Sequence, residues 1–279
     1  MNNETDAILV EHKSPRLGKY ILMTLVIGWF LFMIIVPLTG IIHEAFKDGF
    51  AHFYQTITSP EAGHAFTMTL WITLATIIIN TLFGVTLAIV LVKHNFKGKL
   101  FFEGFVDLPF AVSPVVAGFM FIILFGPNGW IGNWFEMHNM KIIYAFPGML
   151  LATLFVTLPF IAREVIPVLR EFGIQQEEAA HVLGASQWQT FWRVTLPSIK
   201  WGLAYGITLT IARSIGEFGA VLVVGGSIIN KTQTATLYIH QEFTDFNYAG
   251  AFAAAIVLAL ASFIILTTMQ NIYKRKGVN

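Results

Sequence analysis

The chain has 279 residues, of which 56% are hydrophobic and only 12% are charged. Because a soluble protein carries about a quarter charged residues, this composition excludes an ordinary soluble domain and indicates an integral membrane protein. The absence of cysteine excludes disulfides, cysteine-ligated zinc and thiol catalysis. The net charge of +1 is less informative than the positions of the charged residues along the chain.

Six segments are long and apolar enough to be membrane-spanning helices. A spanning helix needs about 20 apolar residues, because the hydrocarbon interior offers no hydrogen-bond partners to backbone amides. A polar tail, residues 1–19, precedes a first segment too long for a signal-peptide core, so we interpret that segment as a retained span. The predicted spans lie within Tyr20–Ile42, Ala65–Val92, Leu108–Phe125, Ile142–Ala162, Trp201–Val224 and Phe246–Tyr273, the last with its span near Ala249–Met269.

The distribution of basic residues predicts the orientation of these spans. Thirteen of the 17 Lys and Arg residues lie in the two tails and in the second and fourth connections. Basic residues are concentrated on the cytoplasmic side of membrane proteins, so both termini and these connections are expected in the cytoplasm. We therefore predict one six-helix domain, residues 20–273 with a core of about 65–270, between cytoplasmic tails 1–19 and 274–279.

The third span contains two prolines in the stretch DLPFAVSPVVAG. Proline removes a helical hydrogen bond, so Pro109 and Pro114, with Ser113 between them, predict a kink or an interruption. Interrupted membrane helices can line a substrate pathway, and a kink that serves only packing is the alternative. These three residues are our candidates for a helix break on the pathway.

The fourth connection, residues 163–200, is much longer than two helices need. Its sequence predicts a helix over Gln175–Leu183, closed by Gly184 in a left-handed conformation. Ser186 and Gln189 have capping-box spacing and predict a second short helix, which we expect to stop near Pro197. Physical reasoning leaves two interpretations open, a docking surface for another protein or a helix pair lying on lipid.

The fifth span contains Arg213 and Glu217, the charged residues placed well inside a span. Their spacing of four predicts an ion pair on one helix face. An ionisable residue at membrane depth costs about 2.5–3.5 kcal/mol on insertion scales and therefore faces protein or water. Arg213 either offers positive charge to a passing anion, with Glu217 holding it when the path is empty, or forms a structural ion pair.

The fourth connection also carries a motif. The pattern E-A-A, three residues, G, nine residues, an apolar residue, x, L-P resembles the EAA loop of bacterial ABC importer permeases, with valine in place of the commoner isoleucine. The resemblance implies an all-α, six-helix, type I (MetI-like) permease fold and a coupling helix that sits in a cleft of a cytoplasmic ATPase. The matching residues are Glu178, Ala179, Ala180, Gly184, Val194, Leu196 and Pro197.

Further stretches narrow the family. DLPFAVSPVVAG, FGPNGWIG, PFIAREVIPVL and ARSIGEFGAVLVVGGSI together resemble sulfate/thiosulfate permeases, and FTDFNYAGAFAAA is similar to their W-type subunit rather than the T-type. GEFGA is shared with molybdate and tungstate permeases, which leaves that substrate class as the alternative. The resemblance implies a bacterial inner-membrane assembly with a T-type permease subunit, an ATPase dimer that binds ATP-Mg, and a periplasmic or extracellular sulfate/thiosulfate-binding protein.

This chain itself is expected to hold no cofactor, to bind no metal or nucleic acid and to catalyse no reaction. Neither glycine cluster has the strand and Lys-Ser/Thr context of a phosphate-binding loop, and the eight histidines show no metal-ligand spacing. A secondary anion transporter and a membrane-embedded enzyme are the rival classes. The motif argues against the first, and the scarcity of charged residues inside the spans argues against the second.

Overall fold

The computed structural model of the chain describes the backbone of residues 16–275 and the side chains of residues 18–271. The described part is helical throughout, and its elements are joined by short turns. Residues 1–15 and 276–279 of the predicted tails lie outside it. The first helix begins at Arg16, before the predicted start of the domain at Tyr20. The helices are α1 (Arg16–Ala45), α2 (Gly49–Ile57), α3 (Pro60–Lys93), α4 (Lys99–Ala111), α5 (Pro114–Phe125), α6 (Gly132–Met137), α7 (Phe146–Phe172), α8 (Gln175–Val182), α9 (Gln187–Thr190), a π-helical turn (Phe191–Thr195), α10 (Leu196–Ile215), α11 (Gly219–Gly225), α12 (Ala235–Thr244) and α13 (Tyr248–Arg275).

The described helices account for four to six membrane spans. By length and composition, α1, α3, α7 and α13 can each cross a membrane alone. Two bent pairs, α4 with α5 and α9–α10 with α11, can each form one further span. With both pairs included, the number agrees with the six predicted spans, whereas the placement of the termini in the cytoplasm stays a prediction.

The third predicted span is broken, and the break lies at its second proline. The chain turns by 111° between α4 and α5. Proline disfavours the helical conformation in the residue before it, and Ser113 is extended (φ −59°, ψ 137°) while Pro114 begins α5. Pro109 lies buried inside α4, which continues to Ala111. Pro109 therefore does not interrupt the helix, and the break of this span lies at Ser113–Pro114.

Helices α3, α7 and α10 pack tightly around Ile161, which is fully buried in α7. An added Cβ on Gly84 of α3 would lie 2.9 Å from the Ile161 Cβ, and one on Gly206 of α10 would lie 2.9 Å from the Ile161 Cα. One turn earlier on α10, a Cβ on Gly202 would lie 2.7 Å from the Glu164 carbonyl oxygen. Gly202 and Gly206 form a GxxxG pair, and small residues at this spacing let membrane helices approach closely.

A row of buried polar side chains runs along α3, and the two side chains at its ends join α3 to its neighbours. The Asn80 side-chain amide donates hydrogen bonds to the Thr157 hydroxyl (2.7 Å) and the Leu154 carbonyl (3.3 Å) of α7. The Thr69 hydroxyl accepts one from the backbone N–H of Ala235 at the start of α12 (2.8 Å). Hydrogen bonds between helices stabilise membrane bundles. The four residues of the row are spaced by four, three and four positions, a helical pattern that the sequence analysis missed. The row consists of Thr69, Thr73, Thr76 and Asn80.

Candidate functional site

The segment α8–α9 has the predicted form of a helix, a glycine and a second helix. Glu177 and Glu178 lie in the first turn of α8, and Gly184 follows that helix with φ +85°. The capping box is present: the Ser186 hydroxyl accepts from the Gln189 N–H (3.3 Å), and the Gln189 side chain accepts from the Ser186 N–H (2.9 Å). The local predictions for this segment are thus confirmed.

The bounds of this segment differ from the prediction at both ends. Helix α7 continues to Phe172, past the predicted end of the fourth span at Ala162. The second short helix does not stop near Pro197, because α9 passes through the π-helical turn into α10, with Pro197 in the first turn of α10. A proline cannot donate a helical hydrogen bond, and the wider turn directly before it changes the hydrogen-bond register at this point. The connection is therefore only residues 173–186, with α8 inside it.

The tip of this segment exposes apolar side chains. Val182 and Leu183 are each 88% exposed, and Trp188 is 70% exposed on the far side of Gly184. We call these three residues the apolar tip. Such exposed apolar groups mark sites that contact a protein or a membrane.

The residues of the EAA pattern divide into two groups. Glu178, Ala179 and Gly184 lie exposed on or beside α8, with Ala180 half-buried. Val194 lies instead in the π-helical turn, and Leu196 and Pro197 begin α10. Leu196 packs there against the buried cluster around Ile161 and Ile199. The pattern therefore includes both an exposed surface and the attachment of that surface to the helix bundle.

Glu177 connects α8 to two other helices, and the sequence prediction did not single it out. Both of its carboxylate oxygens accept hydrogen bonds from the Lys93 ammonium, at 2.7 and 2.6 Å, and Oε1 also accepts one from the Thr195 hydroxyl at 2.6 Å. Lys93 is the last residue of α3, and Thr195 lies in the π-helical turn. The only sequence signal was the glutamate doublet, since nothing local points to a lysine 84 positions away.

The second predicted site, Arg213 and Glu217, lies at a helix break. Helix α10 ends at Ile215, and α11 begins at Gly219 at an angle of 55°. The predicted pair is present, with Arg213 Nη1 2.7 Å from Glu217 Oε2. It does not lie on one helix face, however, because Glu217 is beyond the end of α10, and that part of the prediction is wrong.

Glu217 also stabilises the start of α11. Its Oε1 accepts a hydrogen bond from the Ala220 N–H at 3.0 Å, and its backbone carbonyl accepts one from the Thr236 hydroxyl at 2.7 Å. A carboxylate is favoured at a helix N-terminus, where unpaired N–H groups and the helix dipole are positive. The carboxylate is 2% exposed, whereas the Arg213 side chain is 31% exposed.

The cavity beside Glu217 is small. Its volume is about 10 Å³, which is close to the least that can hold one water molecule. It has no room for a tetrahedral oxyanion. Its polar lining consists of Thr69, Thr153, Ser214, Glu217 and Thr234.

The structure brings the two helix breaks together. An added Cβ on Gly219, the first residue of α11, would lie 3.5 Å from the Pro114 Cβ at the start of α5. Further along, one on Gly118 would lie 2.7 Å from the Val223 Cβ. The short helices α5 and α11 therefore pack against each other, so the candidate pathway residues Ser113 and Pro114 lie near the break that contains Glu217.

Comparison with known proteins identifies the class. Residues 80–277 match the family described as binding-protein-dependent transport system inner membrane component, and the chain belongs to this family. Two solved structures of a bacterial alginate ABC transporter each have a TM-score of 0.79 to this chain at 20% identity. The first match covers 93% of this chain and 94% of the solved chain, and the second covers 94% and 96%. The predicted all-α ABC permease fold is thereby confirmed.

Three curated relatives of this chain are permease proteins of sulfate transport systems. The chain is 47% identical to the sulfate transport system permease protein CysW of Synechocystis sp., over 93% of this chain and 94% of that protein. For the Escherichia coli proteins, it is 44% identical to CysW, over 89% and 86% of the two chains, and 35% identical to CysT, over 88% of each. The higher identity to CysW confirms the W-type resemblance. The family is described as an inner membrane component and these relatives as transport permeases, as predicted for a non-catalytic subunit.

Proposed function

We propose that the chain is the W-type permease subunit of an ATP-driven sulfate and thiosulfate importer, and that α8 and α9 form its contact with a cytoplasmic ATPase. The observation that carries this proposal is the apolar tip, which projects beside the exposed Glu178 and Ala179 of the EAA pattern. Burial of Val182, Leu183 and Trp188 in a protein cleft would remove their apolar surface from water.

The charges of α8 favour a protein cleft over a lipid surface. Helices that lie on membranes carry Lys and Arg on their polar face and bind anionic lipid. Helix α8 has neither, and its exposed Glu178 would be repelled by the negative cytoplasmic leaflet. The exposed carboxylate is suited to a basic group on the partner protein.

The proposed assembly pairs this chain with a T-type permease subunit above an ATPase dimer. The ATPases hold ATP-Mg, so this chain needs no cofactor. ATP-driven closure would draw α8 and the corresponding helix of the T-type subunit together, and the packed helices α3, α7 and α10 would carry that movement into the membrane. A periplasmic or extracellular binding protein would then release its anion into the opened cavity, near the broken helices α5 and α11.

We propose that Arg213 and Glu217 form a structural ion pair rather than an anion site. Glu217 is buried, caps α11 and adjoins a cavity with room for about one water molecule. The test is the double variant Arg213→Glu with Glu217→Arg, measured beside each single variant. Recovery of transport in the double variant supports the structural pair. Because an arginine at position 217 cannot accept the Ala220 N–H, loss of transport in the double variant does not by itself separate the two roles, and Glu217→Gln, which keeps an acceptor, is measured as well. Normal transport in Glu217→Gln, with transport lost in Arg213→Glu although the transporter assembles, would favour anion contact by Arg213.

The function is tested by radiolabelled sulfate uptake in cells that lack this subunit. Cells are complemented with the wild-type chain, with Gly184→Asp or with Gly49→Asp. Gly49 is a matched control because it also has a positive φ (+86°) and open surroundings, but it is the first residue of α2, in another part of the chain. We expect wild type and Gly49→Asp to restore uptake, and Gly184→Asp to lose both uptake and co-purification of the ATPase.

Molybdate and thiosulfate are added as competitors in the same assay. Competition by thiosulfate but not by molybdate supports the proposed substrates. Strong competition by molybdate would move the assignment to the molybdate and tungstate importers, which share the GEFGA stretch. Failure of the wild-type chain to restore uptake, although the assembled transporter is present in the membrane, would contradict the proposed substrate.

A further inference from the structure

We infer that Glu177 is a positioning residue that ties α8 to the end of α3 and the start of α10, so that movement of α8 reaches the membrane helices. The inference rests on the proposed function, because it assumes that a partner moves α8. It concerns a glutamate outside the EAA pattern, whose own glutamate, Glu178, is exposed.

The backbone alone connects α8 weakly to the rest of the molecule. Gly173 precedes the helix with φ +68°, and Gly184 follows it with φ +85°. Glu177 is its buried residue, and the pair with Lys93 is the ion pair of α8 among the described residues. Both turns that flank α8 thus contain a glycine in the left-handed region, and glycine leaves the backbone more conformational freedom than any other residue.

Glu177 contacts two elements at once. Its partner Lys93 ends α3, the helix that packs against Ile161 through Gly84. Its other partner, Thr195, lies in the π-helical turn that leads into α10. One carboxylate thus connects α8 to both helices that flank α7, and a displacement of α8 would move the end of α3 and the start of α10 together.

The character of these contacts suits a mechanical connection. Hydrogen bonds that involve an ionised group are shorter and stronger than neutral ones, and all three contacts to Glu177 measure 2.6–2.7 Å. π-helical turns occur frequently at functional sites. Here the turn lies between the exposed α9 and the membrane helix α10, where a change in helix register could be absorbed or transmitted.

The test uses the complete transporter with its binding protein, reconstituted in lipid vesicles, and measures sulfate transported per ATP hydrolysed. The variants are Glu177→Gln and the exchange Lys93→Glu with Glu177→Lys. Glu171→Gln is the matched control, since Glu171 is an exposed glutamate at the end of α7 without an ion pair among the described residues.

We expect Glu177→Gln to keep the ATPase bound and hydrolysing ATP while the ratio of transport to hydrolysis falls about tenfold, within the range of typical coupling free energies. The control Glu171→Gln should leave the ratio unchanged. The charge exchange should recover at least half of the loss, which a purely steric role of Glu177 would not allow. If the exchanged variant does not assemble, Thr195→Val provides the second measurement, with an expected fall of about threefold.

Two results would overturn the inference and leave the proposed function intact. In the first, Glu177→Gln transports as efficiently as wild type while Gly184→Asp does not transport. In the second, Glu177→Gln releases the ATPase as Gly184→Asp does, which would make Glu177 part of the docking surface only. If Gly184→Asp itself had no effect on transport or ATPase binding, the proposed function would fail before the inference is reached.

Discussion

Glu177 and Glu217 are both buried carboxylates paired with a basic residue, but they connect different parts of the molecule. Glu217 pairs with a residue four positions away and holds a helix break within one segment of the chain. Glu177 pairs with a residue 84 positions away and joins a short surface helix to the bundle. A local pair can stabilise the shape of one span, whereas a distant pair can transmit movement between elements that are otherwise free to separate.

The two carboxylates also differ in how far the backbone that carries them can move. Glu217 accepts hydrogen bonds with its side chain and its backbone carbonyl, and it is buried between α10 and α11. Glu177 lies on a helix between two glycine-containing turns, so its side chain can reach water if α8 swings outward. Loss of the first pair should therefore affect stability, and loss of the second should affect coupling.

The largest expected effect is on stability, from Arg213→Ala. Removing one partner leaves the Glu217 carboxylate buried without compensation, so we expect the free energy of unfolding to fall by about 3 kcal/mol, the low end for buried pairs. Thermal unfolding of the purified transporter measures this. Arg163→Ala is the control, because Arg163 and Asp107 form an exposed pair of the same 2.7 Å length, expected to contribute less than about 1 kcal/mol. If Arg213→Ala and Arg163→Ala lowered the free energy of unfolding equally, the expected difference between the buried pair and the exposed pair would be contradicted.

An intermediate effect is expected from Lys93→Met. We expect unfolding of the transporter to change little, because the freed Glu177 can turn to solvent, while transport per ATP falls about tenfold, as for Glu177→Gln. Combined with Glu177→Gln, the loss should be no greater than for either change alone, because both remove the same contact. Additive losses in the double-mutant cycle would show that Lys93 and Glu177 act separately.

The smallest effects should come from two matched threonines. Thr195→Val removes the hydroxyl that donates to the Glu177 side chain, and Thr236→Val removes the hydroxyl that donates to the Glu217 carbonyl. Each hydrogen bond is expected to contribute about 1 kcal/mol. Thr236→Val should lower the unfolding temperature without changing the ratio of transport to hydrolysis. Thr195→Val should in addition lower that ratio about threefold. The same response in both assays would mean that the two carboxylates do not differ in role.

Much of the local structure could be predicted from the sequence. Six apolar segments, the proline-induced break at Ser113–Pro114, the left-handed Gly184 and the Ser186–Gln189 capping box each depend on a few neighbouring residues. The exposed part of the EAA pattern was likewise recognisable, because the polarity of α8 excludes it from lipid. The helix ends were less predictable, since α7 and α10 both extend past the apolar runs into polar sequence.

The amino-acid sequence by itself thus determined that this is a helical membrane protein with a polar helix–glycine–helix segment, because spans, caps and turns follow from the chemistry of adjacent residues. Only the tertiary structure decided which lysine meets Glu177, that Glu217 caps α11 across a break, and that the two broken spans meet at Pro114 and Gly219. These contacts join residues far apart in the chain or depend on where a helix ends. Packing against neighbouring helices determines both the long-range contacts and the helix ends, so neither can be predicted from adjacent residues alone.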